Sequence, residues 1–146
     1  HWDPEKAMTE LNCLGIVLPD VVANHRATVY RFHRNKMKIP RHLRAFVLQN
    51  GAKPDNIPWG EFEVLFVGGD DSFKDFWGIE ISRYAKMKGY VQHIHVGRVN
   101  TMRRLCKWEG IANTFDGSGL VRFGMLDDVM KGLIEMRSSI QTRLEV

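Results

Sequence analysis

The sequence predicts an α/β domain of parallel β-α repeats, a partial TIM-type (β/α)8 barrel, with an open doubly wound sheet as the alternative. Three observations lead there. Short apolar runs of strand length alternate with longer segments whose apolar residues recur at helical spacing. Glycine or polar residues follow each apolar run, where turns need them. No internal domain break divides the 146 residues, so positions 1–146 read as a single α/β domain. Strands alternating with amphipathic helices imply a parallel sheet covered by helices.

The elements follow in order. Asp3 can cap an opening helix, Pro4 suits its first position, and Ala7, Met8 and Leu11 form its inward stripe. Gly15 breaks it, and a short strand runs to Pro19-Asp20. His25 to Met37 is the next helix, with Val29, Phe32 and Lys36 at helical spacing and Pro40 as its stop. Leu43 to Leu48 is the second strand, and Ala52 to Phe62 a loop with Trp59 as its packing anchor. Val64 to Val67 is the third strand. Phe73 to Lys88 is a helix closed by Gly89, with Ile81, Tyr84 and Ala85 facing inward. His93 to Val96 is the fourth strand, Thr101 to Glu109 a short basic helix, and Ala112 to Phe115 the fifth strand. Leu126, Val129, Met130, Leu133, Arg137 and Ile140 mark a final helix.

Hydrophobic content of 44% and charged content of 26% are those of a soluble globular protein, not of a disordered chain. No apolar run approaches membrane-span length, so no membrane partner is expected. Cys13 and Cys106 are far apart and lack metal-ligand spacing. Two free, buried thiols in a reducing cytoplasm are expected, with no metal and no cofactor. A net charge of +4 suits a phosphate-bearing partner. The stretch from His25 to Arg44 carries many basic residues and no acid. A solvated face is the plainer explanation, and a phosphate-backbone contact surface the sharper one.

In parallel α/β architectures ligands sit at the carboxyl ends of strands. Here those ends carry Asp20, Gln49, Gly68-Gly69-Asp70, Gly97-Arg98-Val99-Asn100 and Asp116. Two carboxylates, a carboxamide and an arginine on one rim predict a ligand site. His93 and His95, two apart on a strand, face the same side. With no third ligand nearby they read as satisfied histidines rather than metal ligands.

Five segments carry a family resemblance: VLPDVV (Val17 to Val22), VLQNG (Val47 to Gly51), LFVGGDD (Leu65 to Asp71), HVGRVNT (His95 to Thr101) and FDGSG (Phe115 to Gly119). In order and spacing they resemble the later part of a tRNA-guanine transglycosylase barrel, including the phage and bacterial relatives associated with 7-deazaguanine modification of DNA. The resemblance implies a base-exchange glycosyltransferase that replaces guanine through a covalent aspartyl-glycosyl intermediate. It places the nucleophile at Asp116 and the base-reading groups at Asp20, Gln49, Gly68, Gly69, Val96 and Gly97. Arg98, Asn100 and Arg122 are expected to contact nucleic acid or phosphate. The implied partners are DNA or tRNA and a guanine-like base.

The family's early aspartate-serine-glycine-glycine-phenylalanine motif, which serves acid-base catalysis, has no counterpart here. The start at His1 suggests a fragment or a processed chain. A second copy or another chain is expected to complete the barrel. Two other functions fit the same residues: a non-catalytic nucleobase or nucleic-acid binding module, and an N-glycosidase that releases the base without replacing it.

Overall fold

The computed structural model describes residues 2–8 and 14–117. Leu11, Cys13, Ser118, Gly119, Arg122 and the final helix expected from Leu126 to Ile140 lie outside the described residues. The elements are α1 (Pro4–Met8), β1 (Ile16–Val17), α2 (His25–Asn35), β2 (Arg44–Leu48), β3 (Val64–Val67), α3 (Asp71–Phe73), α4 (Ile79–Lys88), β4 (His93–Val96), α5 (Met102–Lys107) and β5 (Thr114–Phe115).

The strands form one parallel sheet in the order β1-β2-β3-β4-β5, curled into a half-barrel. Each strand pairs with its sequence neighbour, and the order never reverses. A doubly wound sheet needs such a reversal to send its helices to both faces. The order found here is that of a singly wound sheet. Among the described residues β1 and β5 each pair on one side only.

Alternation along the strands separates two faces. Phe46 and Leu48 of β2, Leu65 and Val67 of β3, and Ile94 and Val96 of β4 are buried in one cluster with Phe32, Ile81, Ala85, Leu105 and Trp108 from the helical layer. Val17, Val47, Phe66, His95 and Thr114 point to the other, concave face. The centre of the core is aromatic. Phe46 stacks on Phe62 at 5.1 Å between ring centroids, and Phe32 meets both rings edge-on. Trp59 anchors its loop by stacking on Tyr90 and donating Nε1–H to the Pro54 carbonyl.

Local chemistry sets the helix ends. Asn24 caps α2 by accepting from the Ala27 amide, Asp70 caps α3 through Phe73, and Thr101 caps α5 through Arg104. α2 stops at Asn35, and a 3-10 turn over Lys36–Lys38 replaces the end of the longer helix expected to Met37. A wide π turn, Lys74–Gly78, joins α3 to α4. Ile81 and Ala85 are buried as expected, and Tyr84 is half-buried.

Two expectations need correction. Cys106 is free but exposed, because it falls on the outer side of α5 while Leu105 takes the buried position. The basic run is not a uniformly solvated face. Lys36 pairs with Glu61 at 3.1 Å and Arg41 with Glu63 at 2.9 Å. The buried Arg44 donates to the carbonyls of Ile39 and Glu61. Acids distant in sequence therefore neutralise part of the run.

No helix of the described residues is long and apolar enough to cross a membrane. Truncation of Phe46, which is 0% exposed at the centre of the aromatic cluster, removes contacts to Phe32 and Phe62 together. Phe46→Ala is expected to cost about 3–5 kcal/mol of unfolding free energy. Equilibrium denaturation by urea measures it, and a loss below about 1 kcal/mol would contradict this packing.

Candidate functional site

The strand ladder continues one residue past each strand. Gly68 donates its amide to Leu48, Gly97 to Val67, and Asp116 to Val96, at 3.0, 3.0 and 3.2 Å. Carrying the register forward by that residue places Gln49, Gly68, Gly97 and Asp116 in one row on the concave face. Beneath them the next row on that face is Val47, Phe66, His95 and Thr114.

The upper row borders a cleft of about 300 Å³. Asp20, Gln49, Gly68, Gly69, Gly97, Arg98 and Asp116, all selected from the sequence, line it together. The two glycines in the middle of the row leave a slot whose apolar surface comes from Val17, Val22, Val47 and Phe66. Both glycines also answer close packing. A Cβ at Gly97 would lie 2.9 Å from the Phe66 ring, and one at Gly68 the same distance from the Leu48 carbonyl. Gly69 has φ +86°.

One end of the slot is a hydrogen-bonding pair. Gln49 is 4% exposed, donates Nε2–H to Asp20 Oδ2 at 2.7 Å, and accepts the Ala23 amide at 2.9 Å. Arg31 binds the Asp20 carbonyl from α2. Asp20 thus presents a carboxylate of fixed orientation to the cleft.

The opposite end is Asp116. Its Oδ1 accepts the Arg98 amide at 2.9 Å, and its Oδ2 lies 2.8 Å from His95 Nε2. Burial tends to raise its pKa, but the Arg98 amide, the His95 hydrogen bond and the Lys74 ammonium outweigh it. The carboxyl is held below its ordinary value. Asp116 therefore stands as an ionised carboxylate at neutral pH. Gly117 follows because a Cβ there would collide with the Val99 carbonyl.

The Arg98 turn is supported from below by Lys74, which no sequence motif marks. Lys74 is 1% exposed. Its Nζ donates to the carbonyls of Gly97 and Arg98 at 2.9 and 3.2 Å and pairs with Asp71. Burial lowers its pKa, an effect Asp71 opposes. Arg98 itself has φ 53°, a left-handed conformation rare for a residue with a Cβ. That turn aims its amide at Asp116, and the Arg98 side chain reaches the Gly69 carbonyl across the cleft.

Two expected site residues among the described residues do not line the cleft. Val96 is fully buried on the helical side of β4, since strand alternation turns it away from the concave face; only its carbonyl serves the site, by holding the Asp116 amide. Asn100 is exposed beside the Asp116-Gly117 turn and does not line the cleft. Arg122 lies outside the described residues.

His95 was missed as a partner of Asp116. The signal was present, since alternate residues of adjacent strands share a face, but it needed the register His95↔Thr114 to become specific. Among the described residues no group of three or more metal-ligating side chains occurs. A larger hollow of about 530 Å³ lies at the start of α2, where Asn24 caps the helix and Asn56 binds Gly51. It contains no carboxylate. No family model, curated protein or solved structure matches this chain.

Lys74→Met keeps most of the side-chain volume but leaves two carbonyls without their donor. It should destabilise the fold by about 1–3 kcal/mol, and amide exchange at Arg98 should accelerate. Unchanged exchange at Arg98 would show that Lys74 does not support the turn. The sign for Asp116 is equally definite. Its depressed folded-state pKa contributes stability above the ordinary carboxylate range, lost as pH falls through the folded value. His95→Leu removes one lowering influence, so the Asp116 carboxyl titration followed by ¹³C NMR should move upward.

Proposed function

We propose that this domain is the later part of a (β/α)8 barrel and works as a base-exchange glycosyltransferase on nucleic acid. The observation that supports it is the single row Gln49-Gly68-Gly97-Asp116, which joins a base-sized slot to a fixed carboxylate. A planar heteroaromatic ring fits between apolar Val47 and Phe66 and the bare backbone of the glycines. Asp20 and Gln49 offer acceptor and donor groups to its polar edge. The cleft volume of about 300 Å³ is at the lower end of small-molecule sites.

In this reading Asp116 attacks C1′ of the target nucleotide. The Asp116 oxygen–C1′ bond forms, the C1′–nitrogen bond breaks, and the departing base keeps the electron pair and takes up a proton. A nitrogen of the incoming base then attacks C1′, loses its proton and frees Asp116. Splitting the exchange into two displacements is the usual gain of covalent catalysis. The target base must leave its stack to enter the slot, and Arg98 stands at the rim for the neighbouring phosphate. The tRNA-guanine transglycosylase resemblance supports guanine and a 7-deazaguanine as the exchanging bases. Closing an eight-stranded barrel requires more strands than the five among the described residues, supplied by further chain, a second copy or another protein.

The test uses the full-length protein, a target DNA or tRNA and a labelled guanine analogue. The wild type should incorporate label and form a denaturation-resistant protein–nucleic acid adduct. Asp116→Asn should abolish both, a loss of at least about 10³-fold. Gln49→Leu should weaken base binding by about tenfold or more through one lost buried hydrogen bond. Label incorporation that survives Asp116→Asn would refute the nucleophile; base release without incorporation would turn the assignment to an N-glycosidase.

A further inference from the structure

Asp116 is the end of a hydrogen-bonded chain that runs down the concave face. A carboxylate only accepts hydrogen bonds, so His95 Nε2, 2.8 Å from Oδ2, is the protonated nitrogen. In a neutral imidazole Nδ1 then accepts, and the donor 2.7 Å away is the Thr114 hydroxyl. That hydroxyl has one hydrogen. Its other contact, 2.8 Å from His93 Nε2, is therefore donated by His93. Direction and tautomers follow together: His93 to Thr114, Thr114 to His95, His95 to Asp116.

The backbone fixes the chain in place. His93 and His95 are alternate residues of β4, and Thr114 is the register partner of His95 on β5. The Phe66 ring lies 4.8 Å from His95 and limits its rotation. None of His93, His95 and Thr114 lines the upper cleft; all three border a separate cavity of about 230 Å³ below it. Their action on a ligand in the cleft thus passes through Asp116.

We infer that His95 is a positioning residue for Asp116, its Nε2–H tautomer set by the carboxylate and its ring held in place by Thr114 and His93. With the Arg98 amide on Oδ1 and His95 on Oδ2, both carboxylate oxygens are anchored and the carboxylate plane is set. The tautomer assignment stands on geometry alone, while its consequence for turnover rests on the base-exchange reading. Among the described residues lining the cleft, Asp20 is the one other carboxylate, and Gln49 holds it. Control of the Asp116 carboxylate therefore falls to the histidine chain rather than to a neighbouring acid.

Ring-nitrogen NMR on the full-length protein, with wild type, Thr114→Val and Thr114→Ser, tests the assignment. Both histidines should be Nε2–H tautomers in the wild type. Thr114→Val should leave His95 an Nε2–H tautomer, held by Asp116, but free the ring at Nδ1: the Nε2 proton should exchange faster with solvent, and adduct formation at Asp116 should slow by about 10- to 100-fold, as for other groups that orient a reactive residue. Base affinity should be unchanged, and Thr114→Ser should restore proton exchange and rate. An Nδ1–H His95 in the wild type, or a Thr114→Val variant with unchanged exchange of the His95 Nε2 proton, overturns the inference. So does a loss of affinity equal to the loss of rate. If tautomers and proton exchange are as stated but the wild type forms no adduct, the positioning chain stands and the base-exchange reading falls.

Discussion

The parallel ladder that runs one residue past the strands is the constraint on which the site depends. Amide-to-carbonyl bonds at Gly68, Gly97 and Asp116 extend the sheet beyond its regular pairs. Four strand ends therefore share one level. A slip of one residue in any strand would exchange its concave and core faces. Gln49 or Asp116 would then point into the helical layer, as Val96 does. Register is well specified here because Phe46, Leu65, Val67 and Ile94 have a dense core to enter on one face only.

The site stores unfavourable local choices, and the surrounding contacts hold them. Ala23 and Arg98 have left-handed backbone angles despite carrying a Cβ, and the amide of each donates to a side chain of the cleft, Gln49 and Asp116. Lys74 is a buried cation under the second of these turns, where the two carbonyls and Asp71 offset its desolvation. Such strain persists only when neighbours over-determine it, and it concentrates at functional sites. The π turn beginning at Lys74 belongs to the same pattern, since wide helical turns recur at such places.

Electrostatics divide between local and distant partners. Arg104 reaches Asp75 with two nitrogens, at 2.9 and 2.8 Å, linking α5 to the π turn, and Lys107 approaches the same carboxylate. The basic run from His25 to Arg44 is partly consumed by Glu61 and Glu63, which arrive through the loop before β3. Charge counted along the sequence thus overstated the positive surface. A count of residues carries no information about which acids fold back onto them.

Much of the architecture was legible because its signals are local. Val64–Val67 and His93–Val96 are found at their expected bounds, since a short apolar run between turn residues has few alternatives. Asp20, Gln49, Gly68, Gly69, Gly97, Arg98 and Asp116 could be selected because strand ends are visible in the sequence and parallel sheets gather them on one rim. What the sequence alone determined, within the described residues, was therefore the alternation of strands and helices, the parallel class and the residues that line the cleft. Tertiary structure decided the strand order, the face each residue takes and the partners of each polar group. It turned Val96 inward, brought Lys74 under Arg98 and set His95 against Asp116. These depend on contacts between residues some twenty positions apart, and no local pattern encodes which of several distant partners the register will deliver.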